Sequence, residues 1–310
     1  MQKSAAFQVL ANPQINKQLW DECIDNCPYG LIYAKSFYLD NMSFGWKALA
    51  AENYDWVLPV TFRKKFTISY LYQPPFTQQS GIFAKKDVFV PYQKIIKWLQ
   101  SHYKFWEVNW NYSTETSAVS PSIQLNAATN FILDLSKNYE SLRSNYHSIL
   151  VKNLKRSQHQ QLNYEASQDF DECIDLYKKN YGSRISHVKT EDYNNFRNIC
   201  SYASQNNMIC CRKALDNKGE TVALSLLLAD KRRLYHIINA TTEAGRKMQA
   251  NHFLLDNIIR EFSGRPLLFD FEGSDLSGVK SFYESFGAVN QPYYFLRYNS
   301  LPWPVSLSKK

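Results

Sequence analysis

Two stretches of this chain, about 163 residues apart, carry the same pattern, and that repeat limits its folds more than any other feature. Ile95, Ile96 and Leu99 in the first correspond to Ile258, Ile259 and Phe262 in the second. Apolar residues at i, i+1 and i+4 form one stripe of a helix. At the same shift Trp106-Glu107-Val108-Asn109 falls on Phe269-Asp270-Phe271-Glu272. Both tetrapeptides alternate an apolar face with an acid or amide face, as a strand with one buried side requires. A helix leading into a strand is thus used twice, at a period far longer than the roughly 20–50 residues of solenoid repeats.

The surroundings extend the match. In the first half, a helix at 15–26 leads to aromatic-rich strands at 46–51, 55–61 and 67–72, then the loop Gln73-Pro74-Pro75-Phe76-Thr77-Gln78-Gln79-Ser80-Gly81, a helix at 92–102 and a strand at 105–110. The second half offers strands at 208–215, 221–229 and 233–239, with a turn at Asp216-Asn217-Lys218-Gly219, then a polar loop, a helix at 250–262 and a strand at 267–272. Small and polar residues with Pro121 at 117–129 mark a boundary, giving domains 1–125 and 126–310. The last ~20 residues are free to return to the first domain, since chain ends lie at domain surfaces. A strand at 131–135 and a helix at about 138–160, with Ser136 or Asn138 as its N-cap, open the second domain. On that helix Leu142, Tyr146, Ile149, Leu150 and Leu154 share one face, and Lys152, Lys155, Arg156 and His159 share another. The basic face is either a solvated surface or a contact for tRNA or another polyanion.

With 310 residues, 45% of them hydrophobic and 15% aromatic, the chain can bury two cores. No stretch reaches the ~18 apolar residues that cross a bilayer, and the N-terminus leads into no signal-peptide core, so a soluble cytoplasmic protein is expected. The formal charge of +8 suits an anionic partner such as a phosphate-bearing cofactor, RNA or a membrane surface. The six cysteines have no paired C-x-x-C spacing and no histidine at zinc-finger distance, so reduced thiols are expected and no metal site. Neither a G-x-S-x-G elbow nor a G-x-x-x-x-G-K-S/T loop occurs, which disfavours serine hydrolase and P-loop chemistry.

Four patches resemble one family. Tyr139-Glu140-Ser141-Leu142 through Asn153-Leu154-Lys155-Arg156 is similar to the helix that opens the second domain of FemABX-type proteins. Gly219-Glu220-Thr221-Val222-Ala223-Leu224 resembles their G-E-x-V-A-G hairpin, with Leu224 in place of a small residue. Phe269-Asp270-Phe271-Glu272-Gly273-Ser274 with Phe282-Tyr283-Glu284-Ser285-Phe286-Gly287 resembles the family's D-F-x-G … F-K-x-x-F-G ending. Leu58-Pro59-Val60 and the 73–81 loop are similar to bacterial FemAB-like acetyltransferases. The resemblance implies a mixed α/β fold of two tandem GNAT-like domains. It also implies N-acyl transfer to an amine: aminoacyl groups come from tRNA in the cell-wall peptide ligases, and acyl groups come from coenzyme A in GNAT relatives. The expected co-substrate is acyl-CoA or aminoacyl-tRNA, with no tightly bound cofactor. The acceptor is an amine-bearing small molecule, peptide or envelope precursor.

Transfer of this kind needs a proton acceptor for the amine, donors for the oxyanion and a place for the anionic carrier. Asp270 and Glu272, on one strand face, are candidates to orient the amine or take its proton, or else to cap the following turn. Tyr283 stands where the family has a lysine. Lys280, three residues earlier on the same helix face, can reach a similar place, while the Tyr283 hydroxyl can donate a hydrogen bond or act as the leaving-group acid. The resemblance puts the carrier's pyrophosphate at the helix start, where Arg246, Lys247, Gln249 and Asn251 lie, with Gln249 and Asn251 in place of glycine or alanine. It also directs His236 and Asn239 toward the carrier cleft. Gln78, Gln79 and Ser274 are candidate acceptor contacts, and Gln78 and Gln79 serve equally well to close a turn. The competing reading is a non-catalytic protein that binds tRNA or an envelope precursor on the same double fold.

Overall fold

A computed structural model describes residues 7–65, 67–185, 187–273 and 276–303. The chain forms two compact units: Thr129–Gln291 is one, and the residues before it together with those from Pro292 onward make the other. Among the described residues no helix is long and apolar enough to cross a membrane.

In the first unit the strands Phe62–Lys65, Ile68–Tyr72, Phe105–Trp110, Tyr293–Asn299 and Gln124–Ala128 make a five-stranded sheet in that order. A separate four-stranded sheet runs Gln8–Ala11, Lys47–Ala50, Trp56–Val60 and Phe83–Ala84. Ile68–Tyr72 and Phe105–Trp110 are parallel, and the helix Tyr92–His102 joins them. Ile95, Ile96 and Leu99 face the core on that helix.

The second unit repeats this crossover inside one seven-stranded sheet, ordered Asn163–Ser167, Ile209–Leu215, Thr221–Ala229, Arg233–Thr241, Leu268–Asp270, Phe131–Asp134 and Val289–Asn290. Its parallel pair is Arg233–Thr241 with Leu268–Asp270, joined by the helix Ala250–Phe262. Thr221–Ala229 is buried almost end to end, as its run of apolar residues demands of a central strand. The hairpin before it closes because the Asp216 carboxylate accepts the Lys218 and Glu220 amides while Gly219 takes φ +83°. Leu254, Leu255, Ile258 and Ile259 are fully buried on the crossover helix, so the repeat read from sequence is a repeated β-α-β unit.

Three expectations change. The helix expected over 138–160 is two, Tyr139–Arg143 and Ser148–Gln158. Asn138 caps the first by accepting the Ser141 amide. Between them the His147 amide donates to the Ser285 carbonyl and Tyr146 packs edge-on against Phe286, so tertiary contacts replace the intervening turn. The strand expected to reach Glu272 ends at Asp270. Two helices not foreseen, Phe170–Tyr181 and Thr190–Gln205, occupy the region before the Ile209–Leu215 strand. All six cysteines are free.

The parallel pair of the second unit is clasped by a buried ion pair between Arg233 and Asp270, 3% and 0% exposed, and the guanidinium also donates to Gln291 Oε1 at 3.1 Å. Removing one partner strands the other's charge. Arg233→Met is therefore expected to lower stability by about 3–5 kcal/mol in urea unfolding, and replacing Asp270 by Leu in the same chain should recover much of that loss. Ile259→Ala is expected to cost about 2–5 kcal/mol by the same measurement, as a fully buried side chain truncated in a packed core.

Candidate active site

The parallel pairing is brief. Arg233, Leu234 and Tyr235 oppose Leu268, Phe269 and Asp270, and there the partner strand ends while Arg233–Thr241 runs on. The parting opens a pocket of about 770 Å³. One wall is the continuing strand, with His236, Ile237, Asn239 and Thr241. Another is the chain beyond the shorter strand, with Phe271 and Glu272. The start of the crossover helix adds Gln249, Asn251 and His252, while Tyr177, Tyr181, Val279, Phe282 and Tyr283 come from two further helices.

His236 and Asn239 are three residues apart, so a regular strand would turn them to opposite faces. The register between Thr221–Ala229 and Arg233–Thr241 shifts here: two steps from Leu226 to Leu228 match three from Ile238 back to Tyr235. The extra residue is a bulge, which places His236 and Ile237 on the lining together with Asn239.

Glu272 is held by its neighbours. Its amide donates to Asp270 Oδ1 at 3.0 Å while the other Asp270 oxygen faces Arg233. Its φ of +60° is left-handed, and a Cβ on the next residue, Gly273, would lie 2.1 Å from the Thr129 carbonyl oxygen. The turn thus needs a glycine at 273 and swings the Glu272 carboxyl off the strand face. Asp270 and Glu272 are brought close but not onto a shared face: Asp270 is committed to Arg233 and is not in the pocket lining, and Glu272 is. Burial pushes the Glu272 carboxyl from its ordinary 4.5 up to about 8.

Five lining side chains bury a polar atom with no hydrogen-bond partner among the described residues: His236 Nδ1, Asn239 Oδ1, Asn251 Oδ1, His252 Nδ1 and Glu272 Oε1. Such an atom costs about 1–3 kcal/mol unless something satisfies it, and native proteins keep few, so their convergence makes this cavity the candidate ligand site. Burial lowers His236 to about 3 and His252 to about 4, leaving both imidazoles neutral at physiological pH. Burial, and then the nearby Glu272, raises the Tyr283 hydroxyl, so the phenol keeps its proton.

The other expected residues divide. Arg246 lines the pocket and donates to the Thr241 carbonyl at 2.9 Å. Gln249 lines it too, at φ +58°, the left-handed position a glycine would take more easily. Lys247 is exposed, pairs with Glu243 and is not in the lining. Lys280 is half-buried and is not in the lining, although Tyr283 on its helix is. Lys152, Lys155 and Arg156 are exposed on the Ser148–Gln158 helix, away from the pocket lining. Gln79 is wholly buried in the first unit, where its Nε2 donates to Gln78 Oε1 at 2.7 Å and its Oε1 accepts the Tyr112 amide at 3.1 Å. The two glutamines thus close their loop against the strand Phe105–Trp110. Ser274 lies outside the described residues.

Sequence reading missed Tyr177, Tyr181, His252 and Phe282. The tyrosines follow a legible helix start, in which Asp169 accepts the Glu172 amide at 2.8 Å and Cys173, Ile174, Tyr177 and Tyr181 recur at helical spacing. His252 directly follows Asn251 on a helix whose limits the sequence does show.

Residues 148–278 match the family model described as an acetyltransferase (GNAT) domain. No curated protein sequence matches the chain. Among solved structures, FemX is similar over 93% of this chain and 96% of its own, at 13% identity and a TM-score of 0.63. A conserved protein of unknown function from Bacteroides thetaiotaomicron covers 91% and 97% at 11% identity and 0.59. L-PGS from Bacillus licheniformis covers 95% of each chain at 13% identity and 0.53. The strand parting of the second unit therefore lies within the residues that match this model, in a chain that has the FemABX-like tandem GNAT fold.

Proposed function

We propose that this chain is an N-acyltransferase that moves an acyl or aminoacyl group from a carrier, acyl-CoA or aminoacyl-tRNA, to an amine, with the chemistry in the second-unit pocket. The observation that carries the reading is Glu272: a carboxyl raised to about 8, with Oε1 unpartnered, in the lining of the strand parting of a GNAT-type domain.

A base is most effective when its pKa lies near the working pH, and Glu272 meets that condition. The amine nitrogen adds to the carbonyl carbon, and Glu272 takes the amine proton as the carbon–nitrogen bond forms. The bond from carbon to the carrier's sulfur or oxygen then breaks, and the leaving atom takes a proton from the Tyr283 hydroxyl. Transfer of the Glu272 proton to the Tyr283 oxygen, directly or through water, resets the site. The net change is amine plus acyl carrier to amide plus free carrier. Asp270 acts through Glu272, whose amide it holds.

Arg246 and the unpaired amides at the start of the Ala250–Phe262 helix support a carrier that bears phosphate. The side chains of Gln249 and Asn251 narrow that place relative to glycine. If the carrier is tRNA, Lys152, Lys155 and Arg156 offer it a cationic face. An envelope precursor is the acceptor class suggested by the FemABX resemblance.

Mass spectrometry of the pure protein with acyl-CoAs and charged tRNAs against amine acceptors tests the reading. Amide product that forms far more slowly with Glu272→Gln is expected; tight binding of carrier without product in any combination would instead favour the non-catalytic alternative. The expected loss for Glu272→Gln is about 10²–10⁴-fold in kcat, and Tyr283→Phe should lower kcat more than it changes KM. In wild type kcat/KM should climb with pH to an inflection near 8, the value to which burial raises this carboxyl, and Glu272→Gln should flatten that limb. Stability supplies a second readout. The folded-state value lies above the ordinary 4.5, so this group's contribution is full below pH 4.5 and is lost as pH rises through 8. Urea midpoints of Glu272→Gln should accordingly gain on wild type across that window.

A further inference from the structure

The bulge that turns His236 into the pocket also sets it beside Ser225 on the adjoining strand. Ser225 Oγ lies 2.9 Å from His236 Nε2, and the two residues are 0% and 3% exposed. Among the described residues His236 Nε2 is the one hydrogen-bond partner of the Ser225 side chain, and His236 Nδ1 has none.

These facts discriminate between the two neutral tautomers. If Nε2 carried the proton, it would donate to Ser225, whose own buried hydroxyl proton would then have no acceptor, and Nδ1 would be left as an unmatched lone pair. If Ser225 donates to Nε2, the hydroxyl is satisfied and a single buried group stays open, an N–H on Nδ1. The second arrangement leaves one unsatisfied polar group in place of two, and each such group is costly in a buried site. A neutral ring is required in either case, and burial supplies it by lowering the imidazole to about 3.

We infer that Ser225 fixes His236 as the Nδ1–H tautomer, and that His236 is the hydrogen-bond donor to the carbonyl oxygen of the acyl group undergoing transfer. The second part rests on the acyl-transfer reading; the first does not. When the amine adds, negative charge develops on that oxygen, and a fixed N–H on a buried ring stabilises it more than it stabilises the starting carbonyl. No proton leaves His236: the oxygen gains charge as the carbon–nitrogen bond forms and loses it when the carrier departs. The unpartnered atoms of Asn239, Asn251 and Glu272 are oxygens, which repel a carbonyl oxygen unless protonated. His252 is the less suited imidazole, because its Nε2 faces the amide of Asn153 at 3.2 Å, a group able to present either its nitrogen or its oxygen.

Long-range ¹H–¹⁵N NMR of histidine-labelled wild-type protein reads the tautomer without any variant in the pocket. An Nδ1–H signature for His236 that persists from pH 5 to 8 and loses its bias in Ser225→Ala is expected; an Nε2–H signature overturns the inference. In turnover assays of folded variants, His236→Leu should lower kcat by about 10²–10³-fold with little change in KM. His236→Gln, which restores an N–H, should recover part of the loss, and His252→Gln should cost far less. A wild type that turns over and a His236→Leu variant with unchanged kcat overturns the catalytic part. A wild type with the Nδ1–H signature but no turnover instead overturns the acyl-transfer reading, and with it that part, while the Ser225 assignment stands.

Discussion

Two parallel strands that share three residue pairs and then separate hold the second unit's site in place, and the Arg233–Asp270 ion pair fixes where they separate. Buried ion pairs are poor sources of net stability, because removing two charges from water offsets most of their attraction. What this pair supplies is register. One carboxylate oxygen of Asp270 faces the guanidinium and the other holds the Glu272 amide, so the clasp and the turn that aims the Glu272 carboxyl are one device. The bulge on the longer strand is its counterpart across the opening, setting His236 beside Asn239 on the lining.

The first unit contains the same β-α-β crossover, yet its strands meet a different neighbour at the same place. Past Tyr72 and Glu107 the space beside the strand Phe105–Trp110 is taken by the 73–82 loop. The Asn109 amide donates to Gln73 Oε1 and its side chain to the Gln78 carbonyl, Ser80 bridges to Trp110, and the Asn111 side chain donates to the Ile82 carbonyl at 2.8 Å. The cavity beside the loop, between Leu71, Ser80, Val108 and Trp110, is about 10 Å³, room for one water molecule at most. One plan thus gives an open parting in one unit and a filled seam in the other, and ten residues of loop account for the difference.

Much of this was legible in the sequence because it follows from local periodicity. The helices Tyr92–His102 and Ala250–Phe262 and the strand Phe105–Trp110 have the limits that their apolar spacing indicates. What was not legible depends on contacts distant in sequence. Nothing near residue 145 foretells that His147 will bond Ser285. Strand alternation assigns Asp270 and Glu272 to one face, and only the left-handed turn forced by Gly273 against Thr129 separates them. The same alternation separates His236 from Asn239, and only the bulge unites them. Resemblance drew attention to Asp270 and His236, but the partners that hold them, Arg233 and Ser225, belong to no motif.

The filled seam has a consequence for how information is stored in the two halves. Around Gln73, Gln79 and Asn111 each polar group is satisfied by another, so a substitution there appears as a looser fold. Around Asn239, Asn251 and Glu272 polar groups are left unsatisfied, and replacing them with apolar residues of similar shape relieves a cost and so tends to stabilise the resting protein. A library of variants selected for heat resistance would therefore preserve the first cluster and erode the second, and the positions it discards most readily would outline the pocket.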